Sequence, residues 1–223
     1  MKLLKKSDEK IIFVTKIDET FANSIRRASF EVPILAIDEV EFYKNDSILY
    51  DEVLALRLGL IPLKTPDDMN LKEDCSCKGK GCAKCTIQLK LQSVGEKTIY
   101  ASELKGKVEV IYPKMPITKL EEGQELEFVA TATLGKGIQH SKYVPGLVYY
   151  RNLVVCKNCK SSHEITDEKE EDINECDICS KKNDELYQGK ELVIFIESWG
   201  QIKAKDIFLK SVKAIKENLK DLE

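Results

Sequence analysis

Eight cysteines stand out in this sequence because they fall into two groups of four. The first group consists of Cys75, Cys77, Cys82 and Cys85. Four thiolates so close together, with Gly79 and Gly81 between them to let the backbone curl, can complete a tetrahedral shell of sulfur around zinc at about 2.3 Å. We therefore predict a structural zinc site in this loop; four unrelated buried cysteines are the alternative.

The second group consists of Cys156, Cys159, Cys176 and Cys179. Each C-x2-C pair fits one tight turn, and two such turns facing each other form a ribbon-like or rubredoxin-like site. The spacing indicates a metal but identifies it poorly, because four sulfurs suit zinc, iron or an iron–sulfur cluster. The acidic segment 166–175 has few apolar side chains, so this module needs a metal to hold a shape. The ferredoxin run C-x2-C-x2-C-x3-C-P is absent, which favours zinc, although an iron–sulfur cluster could occupy this second site.

The side-chain patterns of common enzyme classes are missing from the sequence. It has no G-x-S-x-G, no Cys–His–Asn arrangement, no phosphate-binding loop and no aspartate-rich motif for a pair of catalytic magnesium ions. The only histidines are His140 and His163, which we interpret as a surface or packing residue and as part of the second metal module. We predict no catalytic site.

Composition narrows the class of protein further. The chain has 223 residues, of which 43% are hydrophobic and 33% charged, with a net charge of −3. That balance is typical of a globular protein. It disfavours a protein that binds nucleic acid by itself, because phosphate binding needs an excess of lysine and arginine. The longest apolar core, 192–196, has the length of a strand and no secretion signal is apparent, which predicts a cytoplasmic protein without a membrane span. Cytoplasmic thiols stay reduced, and this favours metal ligands over disulfides.

The elements that must position these cysteines follow from the apolar periodicity. Strands are predicted at 10–17, 37–43, 87–92, 108–112, 125–134 and 192–198. Helices are predicted at 19–30, 51–59 and 202–222. The first helix places Phe21 and Ile25 on one face, and the last carries an apolar stripe of Phe208, Val212, Ile215 and Leu219.

Several ordered motifs then make the sequence recognisable. They are F-A-N-S-I-R-R at 21–27, N-D-S at 45–47, D-E-V-L-A-L-R-L-G-L-I-P-L at 51–63 and the segment 137–151. Together they resemble the D-type subunit of archaeal RNA polymerase, whose family includes the third-largest eukaryotic polymerase subunit and the N-terminal domain of bacterial α. The near-continuous match from 21 to 63 is long enough to be specific.

The resemblance implies an α+β fold with three parts. These are a discontinuous α/β dimerisation domain of 1–45 plus 186–223, a mainly β insertion domain of 46–152 with a zinc-type loop at 75–85, and a small cysteine-rich metal module at 153–185. The first quartet is similar to the zinc loop of eukaryotic relatives. The second falls where many archaeal members carry a ferredoxin-like module, but this sequence departs from them because it lacks the ferredoxin run.

The resemblance also implies the partners of a non-catalytic assembly subunit. Proteins of the D type pair with subunit L, are joined by subunits N and P, dock the large catalytic subunits, and meet DNA only through the complex. Phe21, Ile25 and the stripe of the last helix would then face L, whereas Arg26, Arg27 and the segment 51–63 would face a large subunit. The alternatives are a free-standing iron–sulfur electron carrier and a zinc-ribbon nucleic-acid-binding protein, and the arginine pair could be an ordinary solvated face.

Overall fold

The computed structural model describes residues 1–159, 162–163 and 186–220, and the elements below refer to these ranges. The strands are β1 (Lys2–Lys6), β2 (Lys10–Thr15), β3 (Ile34–Asn45), β4 (Thr86–Val94), β5 (Lys97–Tyr100), β6 (Lys105–Gly106), β7 (Pro116–Leu120), β8 (Glu125–Gly135), β9 (Gly146–Cys156), β10 (Ser162–His163) and β11 (Leu186–Ser198). The helices are α1 (Glu19–Ala28), α2 (Asp51–Gly59) and α3 (Ala204–Lys220). The fold is therefore a mixture of helix and sheet in which strands predominate.

The first sheet, which we call the terminal sheet, has the antiparallel order β1-β2-β11-β9-β10. Strand β2 and residues 192–196 of β11 are buried on both faces, as their uninterrupted apolar runs predict. Ile11 and Phe13 belong to the core shared with α3, where the Phe13 and Phe208 rings meet edge to face at 5.4 Å. Ile12 and Val14 point to the opposite face, because successive side chains alternate along a strand.

Helix α1 begins where the sequence predicts, since the Asp18 carboxylate accepts a 2.6 Å hydrogen bond from the Phe21 backbone N–H. It ends at Ala28, two residues earlier than predicted. The chain then tightens into a 3-10 turn at Ser29–Glu31, in which the Ser29 hydroxyl donates to the Arg26 carbonyl oxygen at 2.7 Å. This turn directs the chain into Pro33 and β3.

The second sheet, which we call the insertion sheet, has the order β3-β8-β4-β6, and β5 and β7 form a separate pair beside it. Leu54 and Leu58 of α2 pack into the core beside the insertion sheet. Both are fully buried, as is Phe128 of β8. The Arg57 guanidinium donates to the carbonyl oxygens of Ile117 and Pro116 at 2.9 Å each, so α2 is fixed to β7 by polar as well as apolar contacts.

The structure changes several details of the sequence prediction. The strand predicted at 108–112 is wrong: only Val110 forms an isolated bridge, to Leu63. The sequence analysis did not predict six strands, which are β1, β5, β6, β7, β9 and β10. Strand β9 lies in the terminal sheet and β3 in the insertion sheet. The division into three domains stays a prediction.

Candidate functional site

The first cysteine quartet forms a compact cluster of sulfur atoms. The four Sγ atoms all lie within 4.8 Å of one another. Three of the separations are 3.5 Å for Cys75 and Cys82, 3.6 Å for Cys77 and Cys85, and 3.8 Å for Cys82 and Cys85. Sulfurs at the corners of a tetrahedron centred on zinc, about 2.3 Å from the metal, are about 3.8 Å apart. The side chains present therefore fit a tetrahedral metal ion.

The backbone of residues 75–85, which we call the metal loop, curls through two tight turns. The Lys78 N–H donates to the Cys75 carbonyl oxygen and the Cys85 N–H to the Cys82 carbonyl oxygen, each at 2.9 Å. Gly81 has a φ of +86°, and an added Cβ would lie 3.4 Å from Thr86, so glycine is the residue that this turn tolerates best. The Cys82 N–H points at the Cys85 sulfur at 3.3 Å, the kind of amide contact that stabilises a thiolate.

The pKa values of the cysteine thiols in this quartet differ from one another. Burial raises the pKa of the Cys85 thiol to about 12, and the hydrogen bond from the Cys82 N–H offsets only part of that effect. At Cys77 desolvation also acts to raise the pKa, but hydrogen bonds from the Cys75 and Cys85 thiols and from the Gly81 N–H outweigh it and lower the pKa to about 7. A metal ion bound by all four sulfurs would favour the thiolate form of each and offset the repulsion between their charges.

The metal loop is anchored at both ends to the insertion sheet. Cys85 leads directly into β4, and the Thr86 hydroxyl and N–H both donate to the Cys82 carbonyl oxygen, at 3.0 and 2.9 Å. On the other side, Lys72 lies 3.6 Å from the Glu39 carboxylate of β3. A metal ion bound here would cross-link the metal loop, which β3 and β4 already hold at its two ends.

The second quartet falls only partly within the described residues. Cys156 is the last residue of β9 and is buried, and Cys159 is exposed. Cys176 and Cys179 lie outside the described residues, so the second metal site stays a prediction.

The residues predicted to face subunit L differ in their exposure. Phe21 of α1 is 43% exposed and Leu219 of α3 is 58% exposed, whereas Ile25 is only 3% exposed and packs inside this chain. Phe208 packs on Phe13, and Val212 and Ile215 are half-buried. The apolar stripe thus stabilises the chain's own core at its beginning and becomes available to a partner toward its end.

The arginines predicted to face a large subunit also behave differently. The Arg26 guanidinium donates to the Asn23 side-chain oxygen at 2.8 and 3.1 Å, whereas Arg27 is exposed.

The sequence analysis predicted the segment 51–63 as an interface but did not single out the exposed apolar residues in and before it. These residues form an exposed apolar strip on and before α2, which consists of Ile48, Tyr50, Val53, Leu56 and Leu60. The many apolar residues between 48 and 60 are the feature of the sequence from which this strip could have been predicted.

A polar network joins β3 to the 3-10 turn at Ser141–Tyr143, between β8 and β9. The Asp38 carboxylate accepts hydrogen bonds from the Lys142 ammonium at 2.7 Å and from the Tyr143 hydroxyl at 3.0 Å. Burial acts to raise the pKa of Asp38, but the hydrogen bond and charge of Lys142 outweigh it and hold that pKa below its ordinary value. Burial raises the pKa of Tyr143 to about 12, so this hydroxyl remains a donor. The adjacent His140, exposed, accepts a 3.1 Å hydrogen bond from the Lys142 N–H through Nδ1.

Comparison with known proteins assigns these features to a family. A family model for the RNA polymerase Rpb3/RpoA insert domain matches residues 40–147. The DNA-directed RNA polymerase subunit Rpo3 of Methanosarcina acetivorans is 34% identical, and the match covers 96% of this chain and 93% of that protein. The chain belongs to the Rpo3 family. The resemblance found in the sequence is confirmed at this level.

Other Rpo3 proteins match over shorter segments. The relative from Pyrococcus horikoshii is 42% identical over 68% of this chain, and that from Methanosphaera stadtmanae is 37% identical over 79%. The chain spans 58% of the length of the P. horikoshii protein and 63% of that from Pyrococcus furiosus. The region that matches the insert domain contains α2, the metal loop and most of the insertion sheet, so the first cysteine quartet lies within it. No helix in the described part of this Rpo3 family member is long and apolar enough to cross a membrane.

Proposed function

We propose that this chain is a non-catalytic assembly subunit of a cytoplasmic DNA-directed RNA polymerase, equivalent to the archaeal D-type subunit. It pairs with an L-type subunit, is joined by N-type and P-type subunits, and docks the large catalytic subunits, through which alone it meets DNA. The observation that carries this proposal is the match to Rpo3 over nearly the whole chain. Nucleotide addition belongs to the large subunits.

The exposed ends of α1 and α3 support the pairing step. Phe21 and Leu219 are large apolar side chains at the surface, on two helices that pack against each other. Two helices of a partner can cover such a surface by forming a small bundle. Burying an apolar side chain contributes roughly 1.5–3 kcal/mol, so a few such contacts are enough to matter for a stable pair.

The apolar strip at 48–60 supports docking of a second partner. Ile48 is 86% exposed and Tyr50 is 79% exposed, and Val53, Leu56 and Leu60 continue the strip along α2. Contiguous exposed apolar surface of this kind marks protein interfaces. We assign this strip, together with Arg27, to a large subunit.

Both cysteine quartets are proposed to have structural roles, with zinc at Cys75–Cys85 and either zinc or an iron–sulfur cluster at the second site. Metal analysis of anaerobically purified protein, combined with an absorption spectrum, tests this assignment. We expect at least one zinc per chain, and Cys85→Ser should lower the metal content by about one equivalent. Less than one metal per chain would contradict the proposal. Reversible visible absorption on reduction would instead favour an electron carrier, and tight, salt-sensitive DNA binding a zinc-ribbon protein.

Pairing is tested by co-purification of a tagged chain with an L-type subunit. We expect Leu219→Glu and Ile215→Glu to weaken the pair by orders of magnitude, because each places a carboxylate in an apolar interface, and each 1.4 kcal/mol is a factor of ten. Leu219→Glu is the sharper variant because its side chain is exposed in this chain. Lys213→Ala is the matched control, since it makes the same change in net charge on an exposed position of another face of α3. If both glutamate variants pair as tightly as the unaltered chain does, α3 is not part of the interface.

The assembly role is tested by reconstituting the polymerase from separate subunits. We expect the chain alone to incorporate no nucleotides and its omission to abolish assembly of an active enzyme. Full activity of the enzyme reconstituted without this chain would refute the proposed function.

A further inference from the structure

The N-D-S motif at 45–47 leads from the end of β3 into a short exposed segment before α2. We call residues 46–50 the β3–α2 loop. Leu49 is half-buried and packs against the core beside the insertion sheet, whereas Ile48 and Tyr50 are 86% and 79% exposed. The loop is thus anchored by one apolar side chain while it presents two others to the solvent.

The side-chain amide of Asn45 fastens both ends of this loop. Its nitrogen donates to the Leu49 carbonyl oxygen at 2.9 Å and to the Asp51 carboxylate at 2.7 Å. Its oxygen accepts the Ser47 backbone N–H at 3.1 Å and the Ser47 hydroxyl at 2.7 Å. A primary amide combines donors and an acceptor in one small planar group, whereas an ionised carboxylate only accepts. Aspartate at this position would therefore lose the two donated hydrogen bonds, and alanine would lose all of them.

The start of the loop is held independently of the Asn45 amide. The Asp46 N–H donates to the Glu125 carbonyl oxygen of β8 at 3.0 Å, and the Asp46 carboxylate accepts the Glu125 N–H at 3.1 Å. The Lys44 ammonium lies 3.5 Å from the Asp46 carboxylate and 3.2 Å from that of Glu125. Loss of the Asn45 amide should therefore release the far end of the loop and leave the sheet in place.

Tyr50 occupies a position that helix stability alone would give to another residue. It is the N-cap of α2, where the side chain of Ser, Thr, Asp or Asn usually accepts a backbone N–H of the first turn. Within the part of the chain that the structure describes, the Tyr50 side chain makes no such hydrogen bond. Departures from local preference are typical of functional sites, and tyrosine is enriched among the residues that dominate protein interfaces.

We propose that Asn45 is a positioning residue for assembly, because it holds Ile48 and Tyr50 in the arrangement that a large catalytic subunit receives. The proposal rests on the assignment of the exposed apolar strip to a large subunit, and it adds a residue that is not itself part of that strip. A loop that is ordered before binding avoids the loss of conformational entropy that association would otherwise include. Asn45 thus acts through its neighbours and not by contact with the partner.

The test is a competitive reconstitution. A variant and the unaltered chain are mixed in equal amounts with an excess of the small subunits and with limiting large subunits, and mass spectrometry measures how much of each enters the assembled polymerase. We expect about tenfold less incorporation of Asn45→Ala, because its loop must be ordered on binding. Its co-purification with an L-type subunit should be unchanged, since we assign that contact to α1 and α3. Asn70→Ala is the matched control, because Asn70 is an exposed asparagine outside the loop.

Three further readouts separate positioning from a general loss of folding. The double variant Asn45→Ala/Tyr50→Ala should lose clearly less than the product of the two single losses, because Asn45 acts partly through that ring. Asn45→Asp should be poorly incorporated, and Asn45→Asp/Asp51→Asn should recover most of the loss, because an amide again donates to a carboxylate across the loop. In the isolated chain, the Ser47 amide should exchange hydrogen about tenfold faster in Asn45→Ala.

The possible failures are distinguishable from one another. Normal incorporation of Asn45→Ala beside poor incorporation of Tyr50→Ala would overturn the inference and leave the strip in the interface. Single losses that simply multiply in the double variant would overturn it as well. An unchanged exchange rate at Ser47 would show that the Asn45 amide does not order the loop, whichever partner the strip binds. Normal incorporation of Tyr50→Ala would contradict the proposed assignment of the strip, and the inference with it.

Discussion

The insertion core and the terminal helices differ in how completely they bury their apolar side chains. Around the insertion sheet, Leu54, Leu89 and Phe128 are buried within the chain, and α2 packs against β3 and β7. Across α1 and α3, Phe21 and Leu219 remain exposed although α3 is anchored through Ile207, which is fully buried. The core of the insertion sheet is therefore closed within this chain, although the strip at 48–60 stays exposed beside it. The exposed ends of α1 and α3 form the surface that we propose an L-type subunit covers.

The largest effect should come from a matched pair of phenylalanines. Phe128→Ala opens a cavity in the insertion core and should lower the free energy of unfolding by about 3–5 kcal/mol. Phe21→Ala should cost the isolated chain less than about 1 kcal/mol, because that side chain is 43% exposed, but should weaken pairing with an L-type subunit. Urea denaturation of the isolated chain and co-purification measure the two. Equal losses of stability would mean that α1 is as self-contained as the insertion core.

Metal removal should affect the insertion sheet selectively. With a chelator present, the backbone amides of Cys85 and Thr86 should exchange hydrogen about ten- to a hundredfold faster, which corresponds to about 1.4–2.8 kcal/mol of local stability. The Phe195 amide in β11 lies in the other sheet and should keep its protection. If chelation loosened both sheets alike, the metal loop would be supporting the whole fold and not one unit.

The Asp38–Lys142 pair should contribute a smaller amount. Lys142→Met should destabilise the chain by about 1–2 kcal/mol, less than a fully buried charged hydrogen bond, because the Asp38 side chain is 36% exposed. Lys119→Met is the control: its 2.8 Å pair with Glu121 is about 60% exposed on both sides, so the loss should stay under about 0.5 kcal/mol. Thermal unfolding compares the two variants, and similar losses would show that burial does not strengthen the first pair.

The same pair predicts a pH dependence. The folded-state pKa of Asp38 lies below its ordinary value of 3.8, so its contribution is present above that pH and is lost as pH falls through the folded pKa. Asp38→Asn should therefore be less stable than the unaltered chain near neutral pH, and the gap should close below pH 3.8. Urea midpoints across this range measure the gap, and a constant difference would exclude the carboxylate charge as its source.

The smallest effect is expected at the start of α1. Asp18→Ala removes the side chain that accepts the Phe21 N–H and should cost about 1 kcal/mol, whereas Asp18→Asn keeps an acceptor and should cost a few tenths. Circular dichroism during urea denaturation resolves the two. Indistinguishable variants would indicate that packing of α1 against α3, and not the cap, holds this end of the helix.

Local features were the most predictable from the sequence. The first quartet closes within the segment 75–85, so the positions of its cysteines and glycines already specify the turns that bring the sulfurs together. The Asp18 cap and the apolar stripe of α3 are equally local. The cap follows from the carboxylate at the residue before the helix, and the stripe follows from the helical period. The strand predicted at 108–112 failed because an apolar run can pack on a core without finding a partner strand.

The sequence by itself determined the cluster of the first four cysteines, the family and the amphipathic helices, since each is encoded in neighbouring residues or in an ordered series of motifs. Only the tertiary structure decided which sheet β9 joins, that Lys142 meets Asp38 across a separation of 104 residues, and that Ile25 is buried while Phe21 is exposed. Contacts between distant segments leave no local pattern, because they depend on which surfaces meet when the whole chain has folded.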